Sequence, residues 1–171
     1  MTRIGNLLPQ VPYFFIKVNA MREKILIAGI GNLLFTDEGI GVHVIRELEK
    51  RHLPENIELV EIGTATFELT GRMEGKDKVI IVDALLSDDP PGTVFRLTPA
   101  DLSTEDGKFS ASLHQYGVAE ALRTAAMTGN TPEVVILGIV PKDHQSLGTE
   151  LTDELKRDLL KIVQAVLKET A

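Results

Sequence analysis

Ile25-Leu26-Ile27-Ala28 runs straight into Gly29-Ile30-Gly31-Asn32-Leu33-Leu34-Phe35-Thr36-Asp37-Glu38-Gly39-Ile40-Gly41, and Val44, Ile45 and Leu48 follow. A short apolar run bounded by glycine predicts a buried strand, and apolar residues at 3.6-residue spacing predict a helix. The glycines between them permit a tight turn from one to the other. Asp37 and Glu38 fall where that helix begins. A strand-to-helix corner that carries acids instead of more glycine points to cation binding rather than to a phosphate cradle.

Outward from this corner, the pattern of strand and helix alternates. The first helix is expected to end near Arg51, since Pro54 prevents its extension. Ile57, Leu59 and Ile62 interleave with Glu58 and Glu61 as a half-buried strand, and Gly63-Thr64 turns the chain into a short helix ending near Gly71 or Gly75. Val79-Ile80-Ile81-Val82 is a β-branched run covered on both faces and stops at Asp83. The turn cluster Asp88-Asp89-Pro90-Pro91-Gly92 precedes an alternating strand over Thr93 to Leu97.

Pro99 to Ala111 reads as a polar loop, and Ser112 as the N-cap of a helix over Leu113 to Met127. Val134 to Val140 is a third buried strand, closed by Pro141. The last helix is capped by Thr152, with Leu155, Leu159, Ile162, Val163 and Val166 facing inward. Such alternation predicts an α/β three-layer sandwich, a mainly parallel twisted sheet flanked by helices.

Composition narrows the function. The chain has 171 residues, the size of one domain, with 18 basic against 25 acidic residues and a net charge of −7. No dense basic run is present to neutralise a phosphate backbone, so nucleic acid is not an expected partner. The chain has no cysteine, which excludes thiolate ligands, disulfides and cysteine nucleophiles, so any metal must be held by His, Asp or Glu. No apolar run reaches membrane-span length, and a cytoplasmic location is expected by default. Residues 1–20 lack useful periodicity and are read as an N-terminal extension to a single domain over 21–171. Met21-Arg22-Glu23-Lys24 resembles an ordinary start, so the extension reflects an upstream translation start or an arm packed on the domain.

Ligands of open α/β sheets gather outside the carboxyl ends of the strands. That rule places Asp37 and Glu38 after the first strand, Gly63-Thr64 after the second, Asp83 after the third and Pro141 after the last, with His114 opening a helix that can reach the same edge. Glu38, Asp83 and His114 together make a mixed oxygen and nitrogen set suited to Ni, Zn, Mn or Fe with coordination positions left open. Taken singly, each has a plain structural use: Asp83 as a strand-end turn residue, Glu38 as a first-turn acid complementing the helix dipole, Asp37 as an N-cap, His114 as a solvated histidine. His43 falls on the polar side of the first helix, and His52 and His144 lie near loops, so these three read as surface residues. Gly29-Ile30-Gly31 also opens like a dinucleotide fingerprint, but Leu34 occupies the third glycine position, which weighs against a nucleotide-dependent oxidoreductase.

The ordered set GIGNLLFTDEGIG, Gly63-Thr64, Asp83, Pro91-Gly92-Thr93, His114-Gln115 and Gly138-Ile139-Val140-Pro141 resembles the hydrogenase maturation endopeptidases, over Met21 to about Leu167. The resemblance implies a cytoplasmic α/β protease that removes a C-terminal extension from the large-subunit precursor of a [NiFe] hydrogenase once nickel is installed. It further implies Glu38, Asp83 and His114 as the metal-binding positions, with nickel supplied by the precursor. On chemical grounds Asp37 or a ligand carboxylate, Glu38 or Asp83, is expected to serve as general base. The Pro99 to Ala111 loop is a candidate substrate contact. The competing expectation is a non-catalytic maturation chaperone that binds metal or precursor through the same three residues.

Overall fold

A computed structural model describes residues 22–103 and 113–171. The expectations for residues 1–20, for Ser112 and for most of the Pro99 to Ala111 loop therefore lie outside the described residues. The described part of that loop is not irregular: Pro99–Ser103 forms a turn of 3-10 helix.

Among the described residues, five strands pair in the order β2-β1-β3-β5-β4. They are β1 (Ile25–Ile30), β2 (Ile57–Gly63), β3 (Lys78–Ala84), β4 (Val94–Leu97) and β5 (Glu133–Ile139). β1 pairs in parallel with β2 and β3, β3 in parallel with β5, and β4 lies antiparallel on β5. The tight Pro-Pro-Gly connection before β4 explains why that strand runs antiparallel, since a parallel return needs a crossover of a dozen or more residues. β1 and β3 are buried along their whole length, as the unbroken apolar runs predict.

Helices α1 (Ile40–Glu49) and α4 (Asp153–Lys168) cover one face of the sheet, and α2 (Leu69–Arg72) and α3 (Leu113–Met127) the other. The alternation of strand side chains sorts the core between the two layers. Ile80 and Val82 pack with Val44, Ile45, Leu48 and Val163, while Val79 and Ile81 pack with Leu69, Met73, Val118 and Ala121. This is the three-layer α/β architecture expected from the chain.

Two boundaries differ from the sequence reading in a way that bears on the site. β3 continues through Asp83, which pairs with Gly138, so the acid is part of the ladder instead of the turn beyond it. α1 begins only at Ile40, because Thr36–Gly39 forms a separate 3-10 turn. Neither Asp37 nor Glu38 is therefore an N-cap of α1; that position is taken by Gly39.

Candidate active site

Sheet register determines which residues meet at the carboxyl edge. Gly29 is paired with Val82, so Ile30 leaves β1 level with Asp83. β1 then feeds α1 on one face, while the order β2-β1-β3 makes the chain reverse direction at β1. The gap between the ends of β1 and β3 is a topological switch point, the crevice in which open α/β sheets bind ligands. The 3-10 turn bearing Glu38 sits against β3 at that gap.

Glycine makes the approach possible. Gly31 has φ +137, and a Cβ there would overlap the Glu38 carbonyl oxygen, so the corner folds back on itself only with glycine. Gly41 lies against the carbonyl oxygens of both Ile30 and Val82, which brings the start of α1 to within one residue of Asp83.

Asp83 is 4% exposed, and its Oδ1 accepts the Ala84 N–H at 2.8 Å. Strand alternation turns it toward the α3 layer, where it lines a narrow crevice with Leu85, Leu102, Val118 and Gly138. Position 114 is in the first turn of α3, four residues and one helical turn before Val118. The His114 side chain lies outside the described residues, so the structure brings the α3 backbone to this edge and leaves the imidazole undescribed.

α3 is located by a close packing contact. A Cβ on Gly117 would fall on the Thr66 side chain, 2.8 Å from its Cβ and nearer still to its hydroxyl. Gly117→Ala should therefore push α3 off the 3-10 turn Thr66–Glu68 and carry position 114 with it. We expect Gly117→Ala to lose activity about 10-fold or more, as small misplacements of catalytic groups do. Thr66→Gly in the same chain, which removes the Thr66 Cβ as well as its hydroxyl, should restore most of it. An unchanged rate for Gly117→Ala would show that the seating of α3 does not matter.

Asp37 is 0% exposed and accepts four hydrogen bonds. Thr152 N–H reaches Oδ1 at 2.7 Å, while Lys142 N–H, Asp143 N–H and the Thr152 hydroxyl reach Oδ2 at 2.9, 3.1 and 2.8 Å. Thr152 does occupy the N-cap position of α4, but its hydroxyl donates to Asp37 instead of accepting from its own helix. The same loop is stiffened by Asp143, whose carboxylate is held at about 2 by hydrogen bonds from the Ser146 hydroxyl and N–H and the Gln145 N–H.

His43 departs from the surface position expected of it. It is half-buried, and its Nε2 is sealed from solvent with no hydrogen-bond partner among the described residues. The cause is the β5–α4 loop, which folds over α1 and brings Thr149 and Glu150 to the imidazole. Burial, with Arg46 nearby, lowers its pKa below the ordinary 6.5, against the opposing pull of Glu150, the Thr149 main chain and Asp37. The native state thus takes up this proton only at a pH below that at which the unfolded chain does, so stability is complete above 6.5 and falls as pH drops below it. Wild type should lose stability to urea from about pH 7.5 to about pH 5.5, with a shallower loss in His43→Gln. Parallel curves for the two chains would remove His43 as the cause. His52 is exposed and His144 lies half-buried beside Gln145, in the loop, as read.

The rim of this edge carries exposed apolar side chains. Leu34 and Leu147 are 61% and 80% exposed, on loops joined by Gly148 N–H to the Leu34 carbonyl at 3.0 Å. Phe67 and Tyr116 are likewise exposed, beside the Thr66 and Gly117 contact. Among the described residues, no helix is long and apolar enough to cross a membrane.

Comparison with known proteins agrees with this geometry. A family profile described as hydrogenase maturation protease matches residues 42–169. The hydrogenase 2 maturation protease of Escherichia coli is 36% identical over 154 residues, covering 86% of this chain and 92% of that protein. The solved hydrogenase maturating endopeptidase HybD of E. coli superposes with a TM-score of 0.75 at 33% identity, over 85% of this chain and 91% of that one. The [NiFe] hydrogenase maturation protease HybD of Thermococcus kodakarensis gives 0.74 at 29% identity, over 86% and 99%. With three-quarters of its length inside the family profile and its sheet and helices in the family's arrangement, this chain belongs to the hydrogenase maturation proteases and is a peptidase.

Proposed function

We propose that the chain is a cytoplasmic endopeptidase that removes the C-terminal extension of a [NiFe] hydrogenase large-subunit precursor after nickel insertion, with nickel entering the site on the substrate. The observation that carries this reading is that the Glu38 turn packs on β3 while Asp83, near the end of β3, lines a crevice with Val118, one helical turn after position 114. Two carboxylates and an imidazole suit a borderline divalent ion such as nickel. Glu38, Asp83 and His114 would contact the precursor's nickel. That contact would register the scissile peptide against the edge, so that only loaded precursor is cut.

The exposed Leu34, Leu147, Phe67 and Tyr116 suit a protein substrate, since apolar side chains clustered at a rim mark docking surfaces. A proton must be taken from the attacking water. Asp37 is sealed from solvent and already holds four donors, three of them on Oδ2, so that role falls to Glu38 or Asp83.

The decisive experiment is incubation with precursor, with and without nickel, and measurement of product masses. We expect a single C-terminal cut that requires nickel. Binding without cleavage would establish the chaperone alternative, and cleavage independent of nickel would remove metal sensing from the reading.

A further inference from the structure

Every donor to the Asp37 carboxylate comes from the β5–α4 connection, more than a hundred residues further along the chain. The turn is tied to the same loop by its main chain. Asp37 N–H donates to the Asp143 carbonyl at 3.1 Å and Thr36 N–H to the Gly148 carbonyl at 2.8 Å, while the Thr36 hydroxyl reaches the Asp143 carbonyl at 2.6 Å. Thr36 has φ +26, a conformation that β-branched residues avoid and that persists only where the surroundings over-determine it. The next residue but one is Glu38.

We propose that Asp37 is a positioning residue, a buried charge that clamps the Glu38 turn onto the β5–α4 loop, so that the aim of Glu38 is set by that loop. The inference rests on the reading of Glu38 as the contact to precursor nickel. Three donors converge on Oδ2 and one holds Oδ1, on a side chain with no exposure to solvent, which matches a clamp and not a group that exchanges protons with water. Charge-assisted hydrogen bonds are the strong ones, so this contact is suited to holding a strained residue in place.

The clamp can be weakened without touching Asp37. Thr152→Val keeps shape and the main-chain donor but removes the hydroxyl. Asp37→Asn turns an NH2 group toward donors. Two readouts apply: hydrogen exchange of the Glu38 amide, which donates to the Phe35 carbonyl at 2.8 Å and reports on the turn itself, and steady-state cleavage of nickel-loaded precursor. We expect Thr152→Val to speed Glu38 exchange about 10-fold and to lower kcat about 10-fold with KM within about 2-fold, the range seen when groups orienting a metal ligand are lost. Asp37→Asn should lower kcat by about 100-fold. In Thr152→Val the acid limb of the kcat–pH profile should keep its midpoint, because the base is unchanged.

Unchanged exchange and unchanged kcat in Thr152→Val would overturn the proposal, as would full activity in Asp37→Asn. An inactive Asp37→Asn beside a fully active Thr152→Val would make Asp37 the base and overturn it too. Failure of the parent chain to cut any precursor would instead sink the proposed function, and the exchange rates would still decide the clamp.

Discussion

Glu38→Gln and Asp83→Asn chains are expected to fold and yet release less than about one-thousandth of the product formed by the parent from nickel-loaded precursor, the scale of loss when a group acting on the reacting centre is removed. Each substitution keeps the side chain's size and deletes its charge. The amide introduced by Asp83→Asn would still offer an oxygen to the Ala84 N–H, the hydrogen bond that Asp83 Oδ1 accepts at 2.8 Å. Glu38 is only half-buried, so glutamine there leaves no charge unpaired in the core. Circular dichroism melts within a few degrees of the parent would separate loss of chemistry from loss of fold. His114→Ala should show the same loss of processing. Parent-like product masses from any one of the three variants would remove that residue from the site.

Gly41→Ala should have the largest effect on stability. The added Cβ would overlap the carbonyl oxygens of Ile30 and Val82 and lie 2.7 Å from the Ile30 nitrogen. All three are backbone atoms of the two central strands, and none can rotate aside. Relief requires α1 to slide outward, which opens the packing of Val44, Ile45 and Leu48 against Ile80 and Val82. Overpacking of this kind costs about 3 kcal/mol or more, which for a chain of this size lowers the melting temperature by roughly 10 °C. Gly71→Ala is the control: nothing lies within 4 Å of its Cβ position, and it sits in α2. It should be neutral or stabilising by about 0.4–1 kcal/mol. Equal melts for the two variants would show that the α1 contact is not tight.

Most of the strands and helices could be read along the chain, because each rests on local patterns. Unbroken apolar runs over Ile25 to Ala28 and Val79 to Val82 mark strands buried on both faces, and the face of Leu155, Leu159, Ile162, Val163 and Val166 marks α4. The acid edge was legible too, since parallel topology sends the ends of β1 and β3 to one side. His43, Thr152 and Asp37 were not legible in this way. The sequence offers His43 as a polar-face residue and Thr152 as a helix cap, and their structural roles come from a loop that folds across α1. A buried acid with four donors leaves no local signature when those donors lie at positions 142, 143 and 152.

By itself, then, the chain determined its strands, their parallel run and the residues that end them, because β-branched runs and glycine corners act through neighbours a few bonds away. Only tertiary structure decided which of the two adjacent acids in Gly29–Gly41 is spent on holding the fold. Asp37 is sealed against the β5–α4 loop while Glu38, beside it on a turn packed on β3, stays half-buried, a division set by hydrogen bonds between segments over a hundred residues apart.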